Sequence, residues 1–498
     1  MKEYVIGVDI GTGSTKAVAL NIKRKVIAVS QVYYDTDSPK AGYAEQDPEI
    51  IWKAFVNCIT EVIIKIKTLP ATVSISSAMH SLLVVNDKNK AITPLITWED
   101  TRSGKIAAAL RKSASGKAIY EATGTPIHSM SPLCKIKWLG DNEKKIFKDA
   151  AKFISIKEFF WFRLFGKYET DYSIASSTGL FNIKTLKWNP NSLKFCNIKS
   201  SQLSDPVATD FIRSGISAEM ASTLHLDTGT KFCIGASDGC LANVGSNAVS
   251  QDSVALTIGT SGAVRIASPV PISNYSAMIF NYVLDDSTFI SGGPVNNGGN
   301  VLKWMFKTFA KNSSPTDDDY KNIFDEIKKI PAGSNGLIFL PYLYGERAPI
   351  WDERASGVFF GIQSLHTNAH FFRAALEGVC FALNNILEIL EASTKAIQQL
   401  NASGGFVRSK IWMQILAEIT GKKVCLVQTQ DASSMGAALM GMKALKIIAD
   451  YDSLKETNHI SINPDTRNAE LYKRYYHVYK NLYSLLMPAM HELYEIDN

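Results

Sequence analysis

Two glycine-rich turns, some 250 residues apart, are the segments of this sequence best suited to holding phosphate groups. The first, residues 11–14, joins two apolar strand-like segments and reads Gly-Thr-Gly-Ser. The second, residues 259–262, reads Gly-Thr-Ser-Gly in the same setting. Glycines let backbone N–H groups converge on an anion, and the hydroxyls add further donors. Two such turns predict a duplicated fold that binds a polyphosphate between its halves, although such turns also join ordinary hairpins.

An acidic residue precedes the first turn. Asp9 ends an otherwise apolar strand. A carboxylate is costly to bury there unless it is paired or holds a cation, and a hydrated Mg²⁺ is a suitable partner. The sequence contains no G-x-x-x-x-G-K-[ST] motif, which excludes a P-loop.

A second carboxylate, Asp238, lies where a strand is predicted to run into a helix. Open α/β folds place ligand chemistry at such junctions, and an Asp there could remove the proton of an acceptor hydroxyl. A plain N-cap is the alternative role. The surrounding residues 235–239 also match G-x-S-x-G, the nucleophile elbow of α/β-hydrolases, with Ser237 as the nucleophile. A hydrolase would leave the two glycine-rich turns and Asp9 without a role.

Two further groups could bind a polyol. His80 follows a predicted strand and could donate a hydrogen bond to a hydroxylated substrate, although a structural His is the default. Residues 98–102 read Trp-Glu-Asp-Thr-Arg, a set that combines an aromatic wall with charged groups for hydroxyls. An ordinary solvated turn is the alternative.

The elements that would position these residues alternate between strands and helices. Asp47 and Pro48 predict a helix start, and a strand is expected at residues 72–76. In the second half, helices are expected at residues 300–307, 371–391 and 409–420. This alternation favours an α/β architecture with a boundary near residues 247–252, giving domains 1–247 and 248–498.

Composition places the chain among ordinary globular proteins. A chain of 498 residues is too long for a single hydrophobic core, so two domains are expected. Its 53 basic and 47 acidic residues give a net charge of +6. Such a balance does not indicate a nucleic-acid partner. Seven cysteines without C-x-x-C spacing predict neither disulfides nor zinc, and no apolar run is long enough for a membrane. We expect a cytoplasmic protein.

Two long motifs carry a family resemblance. Residues 130–142 read MSPLCKIKWLGDN, and residues 357–377 run from GVFFGI to HFFRAALE. With the two turns, these segments resemble the FGGY family of carbohydrate kinases, members of the actin-like ATPase superfamily. The resemblance implies a two-domain actin-like (ribonuclease H-like) α/β fold, with ATP, Mg²⁺ and a sugar in the interdomain cleft.

The resemblance also implies roles for individual residues. Asp238 would be the catalytic base and would contact the substrate, and Asp9 and Asp238 would lie near the metal. The substrate-binding positions would include Met79, His80, Asp100 and Arg102. The nucleotide-binding positions would be Asp9, Gly11, Thr12, Gly13, Ser14, Lys16, Gly259, Thr260, Gly299, Gly404, Gly405 and Ser409. Lys16 stands where the family often has Arg, and Ser409 where some relatives have Asn.

Shorter phrases, such as residues 77–81 and 345–349, look most like those of gluconate kinases. They imply ATP-dependent phosphorylation of an open-chain sugar or sugar acid, D-gluconate first, with xylulose as the alternative. Arg102 is a candidate cation for a substrate carboxylate. A serine hydrolase and a non-catalytic actin-like ATPase are the more distant alternatives. The expected partner is a small sugar or sugar acid, with no nucleic acid or membrane, and a homodimer is possible.

Overall fold

The chain alternates strands and helices throughout, as the sequence predicts. The computed structural model describes residues 4–394, 397–427, 431–451 and 460–497. The strands are β1 Tyr4–Ile10, β2 Ser14–Asn21, β3 Val26–Tyr33, β4 Glu45–Gln46, β5 Val73–Ser77, β6 Leu83–Val85, β7 Leu95–Ile96, β8 Lys152–Ile154, β9 Glu169–Asp171, β10 Phe181–Asn182, β11 Lys187–Trp188, β12 Asp205–Val207, β13 Ile212–Arg213, β14 Phe232–Cys233, β15 Ser253–Ile258, β16 Gly262–Ser268, β17 Phe280–Asp285, β18 Thr288–Val295, β19 Ile338–Leu340, β20 Val358–Phe360, β21 Gln399–Ser403, β22 Lys423–Leu426 and β23 Ser461–Ile462.

The α-helices are longer than most of the strands. They are α1 Pro48–Ile66, α2 Gly104–Arg111, α3 Ala114–Thr123, α4 Pro132–Asn142, α5 Lys144–Asp149, α6 Ile156–Phe165, α7 Tyr172–Ser176, α8 Pro190–Cys196, α9 Ala218–Leu224, α10 Asp238–Gly245, α11 Gly299–Phe309, α12 Asp317–Ile327, α13 Asn368–Glu391, α14 Lys410–Thr420, α15 Ala432–Ala444 and α16 Thr466–Asp497. Short 3₁₀ turns occur at Ser200–Gln202, Ser334–Gly336 and Gly405–Arg408.

The chain divides into two compact units that are not continuous in sequence. The first unit takes the described residues of Met1–Val249, Ser268–Ser291 and Asp431–Lys455. The second unit takes those of Ser250–Ala267, Gly292–Gln430 and Glu456–Asn498. The predicted domains 1–247 and 248–498 differ from these units in two later segments, which pack with the first unit. Long-range packing of this kind leaves no local sequence signal.

The sheet of the first unit has six strands in the order β13-β14-β5-β1-β2-β3. β1 runs antiparallel to β2 and parallel to β5. The even-numbered side chains of β1, from Tyr4 to Ile10, pack in a core with Phe55 and Ile59 of α1. On the other face, a Cβ on Gly7 would lie 1.9 Å from the carbonyl oxygen of Ser434, so α15 lies directly on β1. Both faces of the sheet are therefore covered.

The sheet of the second unit repeats this arrangement. It contains five neighbouring strands of a seven-stranded sheet, in the order β16-β15-β21-β22-β23. The hairpin of β15 and β16 corresponds to that of β1 and β2, and β15 pairs in parallel with β21 as β1 does with β5. The repeat supports the duplication that the two glycine-rich turns suggested.

The predicted elements agree with the structure to within a few residues. Asp47 caps α1 by accepting a hydrogen bond from the N–H of Glu49, at 2.8 Å. The helices expected at residues 300–307 and 371–391 begin one and three residues earlier, as α11 and α13. Among the described residues, no helix is long and apolar enough to cross a membrane.

Candidate functional site

The first glycine-rich turn joins β1 to β2 and is tied down by its neighbours. The N–H of Gly11 donates to the carbonyl of Ser14 at 3.0 Å, which closes the turn. The indole N–H of Trp98 donates to the Thr12 hydroxyl at 2.9 Å, and the Gln46 amide donates to the Thr12 carbonyl. Thr12 is therefore bonded by residues of two other segments, Gln46 on β4 and Trp98.

Asp9 lies at the end of β1, opposite Lys16 on β2 and beside Ser76 on β5. The Ser76 hydroxyl donates to Oδ1 of Asp9 at 2.6 Å. Burial, followed by the nearby carboxylate of Asp238, raises the pKa of Asp9 to about 7. The structure thus brings together the two acidic residues that the sequence singled out, and their repulsion is what a cation between them would relieve.

Lys16 forms a partly buried contact that the sequence did not predict. Its ammonium group makes an ion pair with Asp431, which directly precedes α15. Asp431 also contributes to the electrostatic environment of Asp9. Lys16 therefore links the first glycine-rich turn to a segment more than 400 residues later in the chain.

Asp238 is the first residue of α10 and half-buried. Its Oδ1 accepts a hydrogen bond from the N–H of Gly239 at 2.7 Å. The preceding turn needs glycine at position 235, where φ is +70° and a Cβ would lie 2.0 Å from the carbonyl oxygen of Ile75. The start of a helix favours an ionised carboxylate, as a general base requires.

A buried network supports this turn from behind. The Ser237 N–H donates to the Ser173 hydroxyl at 3.1 Å, and the Ser173 hydroxyl donates to Oγ of Ser237 at 2.8 Å. Lys157 donates both to Asp171, at 2.7 Å, and to the carbonyl of Ala236, at 3.1 Å. Asp171 in turn caps α7. Of these side chains, only Ser237 was singled out from the sequence, as the nucleophile of the hydrolase alternative.

The same network bears on the hydrolase alternative. Ser237 is fully buried, and its hydroxyl caps α10 by accepting from the N–H of Cys240. A nucleophilic serine must be exposed to substrate and must donate its proton to a base. The G-x-S-x-G match therefore reflects a helix cap.

His80, which also belongs to the first unit, has a strained backbone conformation. Its φ is +65°, and its ring is almost wholly buried. Nδ1 lies 2.8 Å from the carbonyl oxygen of Ser177, so Nδ1 carries a proton and donates it. Nε2 lies 3.2 Å from the Tyr282 hydroxyl. Both ring nitrogens are thus engaged within the protein, so a substrate hydroxyl would have to replace one of these two partners to form a hydrogen bond with the ring. Met79 beside it is partly exposed.

Asp100 and Arg102 contact each other. Nε of Arg102 lies 2.9 Å from both carboxylate oxygens of Asp100, and Nη2 also pairs with Glu45. The guanidinium lies 3.6 Å from the centre of the Tyr43 ring. Arg102 therefore already serves two carboxylates, which limits its capacity to balance the charge of a substrate carboxylate.

Lys135 connects these two groups. Its fully buried ammonium donates to the carbonyl of His80 at 2.7 Å and to that of Thr97 at 2.6 Å. Burial lowers the pKa of Lys135 to about 7. Lys135 lies within the motif of residues 130–142. The motif therefore drew attention to this segment, but the contacts of Lys135 could not be predicted from it.

The second unit contains a pocket of about 750 Å³. It includes five of the predicted nucleotide-binding residues, namely Gly259, Thr260, Gly299, Gly405 and Ser409. Its apolar and aromatic lining includes Leu302, Tyr320, Phe324, Phe406 and Trp412, and its basic lining includes Lys303, Lys321 and Lys328. Flat aromatic groups beside basic residues suit a nucleoside with attached phosphates.

Close backbone contacts shape this pocket. The N–H of Gly299 donates to the carbonyl of Gly259 at 2.7 Å, so the second glycine-rich turn lies against the start of α11. Gly404 has φ +100°, and a Cβ there would lie 2.3 Å from the carbonyl oxygen of Ile258. Ser409 caps α14 through the N–H of Trp412, a structural role in addition to the predicted one.

The expected Mg²⁺ site can be tested against the side chains that are available to bind an ion. Among the described residues, no group of three or more His, Cys, Asp or Glu side chains could hold an ion. Asp9 and Asp238 form a carboxylate pair, which is the number of protein ligands that Mg²⁺ commonly takes beside water and phosphate. The residues therefore fit Mg²⁺ and do not fit a site built wholly from protein ligands.

Comparison with known proteins gives a consistent family assignment. The N-terminal domain model of the FGGY family of carbohydrate kinases matches residues 4–245, and the C-terminal domain model matches residues 254–445. A gluconokinase from Bacillus subtilis is 38% identical over 466 residues, covering 92% of this chain and 90% of that protein. A xylulose kinase from Lactococcus lactis is 28% identical and covers 99% of both chains.

Solved structures show the same fold. The gluconate kinase from Lactobacillus acidophilus has a TM-score of 0.94 and 34% identity, covering 99% of this chain and 100% of that chain. A ligand-bound xylulose kinase from the same organism has a TM-score of 0.94 and 35% identity, covering 98% and 99%. The predicted two-domain actin-like α/β fold and the predicted kinase class are confirmed. The chain belongs to the FGGY family of carbohydrate kinases and is a phosphotransferase with an alcohol group as acceptor.

Proposed function

We propose that this chain transfers the γ-phosphoryl group of ATP to D-gluconate, giving 6-phosphogluconate, with Mg²⁺. The observation that supports phosphoryl transfer most directly is the pair of carboxylates Asp9 and Asp238 at one end of the first unit's sheet. Asp9 is paired with Ser76 on β5, and the next residue of that strand, Ser77, forms a β-bridge with Ser237, directly before Asp238. Phosphoryl transfer to an alcohol requires a base for the hydroxyl and charge compensation for phosphate, and these residues can supply both.

Asp238 accepts the proton of the acceptor hydroxyl in this proposal. The N–H of Gly239 orients the carboxylate at the start of α10, and the buried network at Ser173 and Lys157 keeps the turn in place. His80 would contact the polyol chain through Nε2, with a substrate hydroxyl replacing that of Tyr282, while the hydrogen bond of Nδ1 to Ser177 keeps the ring in place. Asp100, which is hydrogen-bonded to Arg102, would line the same sugar-binding site.

Mg²⁺, held by Asp9 and Asp238 with water, would compensate the negative charge of the ATP phosphates. The second unit would hold the nucleotide in its 750 Å³ pocket, with the adenosine against Phe406 and Trp412. The first glycine-rich turn and Lys16 would contact phosphate oxygens. The seven buried cysteines form no disulfide, which suits the cytoplasmic location that the composition predicts.

The choice of gluconate rests on relatives and not on a substrate contact. Two relatives named gluconokinase are 38% identical to this chain, whereas two relatives named xylulose kinase are 28% identical. Xylulose remains the second candidate, because a structure described as xylulose kinase is 35% identical.

A coupled assay of ADP release over gluconate, xylulose, ribulose and glycerol tests the proposal. We expect the highest kcat/KM with gluconate. Asp238→Asn should lower kcat by about 10²–10⁴-fold, because the general base is lost, while calorimetry should still detect gluconate binding. A higher kcat/KM with xylulose would overturn the substrate but not the kinase class. Unchanged turnover in Asp238→Asn would overturn the base assignment.

Two further readouts address the distant alternatives. Ser237→Ala should retain kinase turnover, with a stability loss of about 1 kcal/mol from the weakened helix cap, whereas a serine hydrolase would lose all activity. ADP release that does not require any sugar would instead favour a non-catalytic actin-like ATPase.

A further inference from the structure

Residues 345–349 form a motif that the candidate site does not include. They read Gly-Glu-Arg-Ala-Pro and belong to the second unit. One of them, Glu346, is only 3% exposed, and burial raises its pKa to about 7. A buried carboxylate is costly unless it is hydrogen-bonded. The groups that donate to Glu346 therefore indicate what it does.

Glu346 accepts hydrogen bonds from the connection between β18 and α11. Its Oε1 accepts from the N–H of Asn296, at 2.5 Å, and from that of Arg347, at 2.8 Å. Its Oε2 accepts from Nδ2 of Asn297 at 3.0 Å. Asn297 is fully buried, and its Nδ2 also donates to the carbonyl of Gly345 at 2.8 Å. Each oxygen of the carboxylate therefore binds one of the two residues that follow β18.

Neighbouring residues of the motif hold the last residues of β18. Nη2 of Arg347 donates to the carbonyl of Val295 at 3.0 Å. The N–H of Ala348 donates to the carbonyl of Pro294 at 3.0 Å. The motif thus fixes the end of the strand, and Glu346 fixes the connection beyond it.

The connection after β18 packs against the second glycine-rich turn. A Cβ on Gly298 would lie 2.7 Å from the carbonyl oxygen of Ser261. The N–H of Gly299 donates to the carbonyl of Gly259 at 2.7 Å, and both of these glycines line the pocket of the second unit. Because the two backbones are in direct contact, a displacement of the connection would also displace residues that line the pocket.

We propose that Glu346 is a positioning residue for ATP, which keeps Gly299 and the second glycine-rich turn in their binding geometry without touching the ligand. This role rests on the proposed binding of ATP to the pocket of the second unit, and it does not depend on which sugar is the acceptor. It assigns the motif of residues 345–349, which looks like that of gluconate kinases, to the nucleotide and not to the acceptor.

Glu346→Ala tests this role, because it leaves the N–H groups of Asn296 and Arg347 without their acceptor. We expect the Kd for ADP, measured by calorimetry, and the KM for ATP to rise by about tenfold or more, since small displacements of binding residues are costly. The KM for gluconate should stay nearly unchanged. Glu346→Gln keeps one oxygen for the two N–H groups and should retain most of the ADP affinity.

A second variant acts on the other end of one of these hydrogen bonds. Asn297→Ala removes the donor to Oε2 of Glu346 and leaves the carboxylate and its two backbone donors in place. It should raise the Kd for ADP in the same direction, and it provides the test where Glu346→Ala does not fold. An unchanged Kd for ADP in Asn297→Ala would overturn the role of Glu346.

Asp352→Ala is the matched control. Asp352 forms a β-bridge with Glu346, but its carboxylate accepts hydrogen bonds from Tyr483 and His491 of α16. The control should lose stability in thermal unfolding without weaker ADP binding. An equal loss of ADP affinity in Asp352→Ala and Glu346→Ala would overturn the positioning role, because it would reflect general destabilisation.

Phe406→Ala separates the role of Glu346 from the pocket on which it rests. Phe406 lines this pocket, so its loss should weaken ADP binding. Weaker ADP binding in Phe406→Ala, together with unchanged ADP binding in Glu346→Ala, would overturn the role of Glu346 alone. Unchanged ADP binding in Phe406→Ala would overturn the proposed nucleotide pocket, and the role of Glu346 with it.

Discussion

At the scale of single residues, the position of Asp238 depends on buried groups that never reach the substrate. Lys157 and Asp171 form an ion pair whose two side chains are almost completely buried. Lys157 uses a second donor for the carbonyl of Ala236, two residues before Asp238. Because a misplacement of about 1 Å can cost about 10²-fold in rate, such a support contributes to turnover without touching ligand.

Lys157→Met should therefore impair both stability and turnover. It leaves Asp171 buried without its cation, at a cost of about 3–5 kcal/mol in the free energy of unfolding. We expect kcat of the folded enzyme to fall by about 10²-fold with little change in the KM for gluconate, because the turn carrying Asp238 loses a donor. Thermal unfolding and steady-state kinetics measure the two effects separately.

A double variant separates support of the turn from general stability. Lys157→Met with Asp171→Asn removes the buried charges but keeps the cap of α7, so stability should recover while kcat stays low. Arg213→Met, which removes the cation from Glu169 on the same strand, β9, should leave kcat unchanged. Recovery of kcat together with stability in the double variant would contradict a positioning role for Lys157.

At the scale of elements, the sequence predicted hairpins better than the contacts between distant segments. The turn after Asp9 and the turn at Gly259 were identified because strand alternation and glycine spacing are local signals. The hydrogen bond from Ser76 to Asp9 and the ion pair between Lys16 and Asp431 were not, since these partners meet only through the packing of separate strands and helices.

Gly404 is a position where the sequence motif predicted a functional glycine but could not show why glycine is required. The sequence placed it in a nucleotide motif, and the structure shows that it closes on the carbonyl of Ile258 at the end of β15. The turn can adopt φ +100° and this close approach only without a side chain.

Gly404→Ala should displace the turn that precedes α14 and distort the pocket of the second unit. We expect the KM for ATP to rise about tenfold or more, with the KM for gluconate nearly unchanged, because the strain and clash cost of order 1–3 kcal/mol falls on nucleotide-binding residues. Gly336→Ala is the matched control. Its φ is +94°, but a Cβ there meets nothing within 4 Å. The control should lose stability without a change in either KM, and an equal rise in the KM for ATP in both variants would contradict the assignment.

At the scale of the whole molecule, the predicted site residues divide between the two compact units. Asp9, His80, Asp100 and Asp238 belong to the first unit, and the pocket around Gly405 belongs to the second. The predicted domains 1–247 and 248–498 put residues 268–291 and 431–451 in the second half, whereas the compact units group them with the first. Tyr282, which orients His80, and Asp431, which pairs with Lys16, come from these two segments.

Amide hydrogen exchange, measured with one ligand at a time, tests whether the nucleoside and the sugar acid bind to different units. Local opening is suppressed where a ligand makes contacts, so each ligand should protect its own unit. Adenosine alone should slow amide exchange at residues 299–303 and 405–412 of the second unit. Gluconate alone should slow exchange around His80 and Asp100 of the first unit. Asp238→Asn should leave both patterns intact, because it removes a base and not a binding pocket. Protection by adenosine confined to the first unit would show that the 750 Å³ pocket does not bind the nucleoside, whatever the acceptor proves to be.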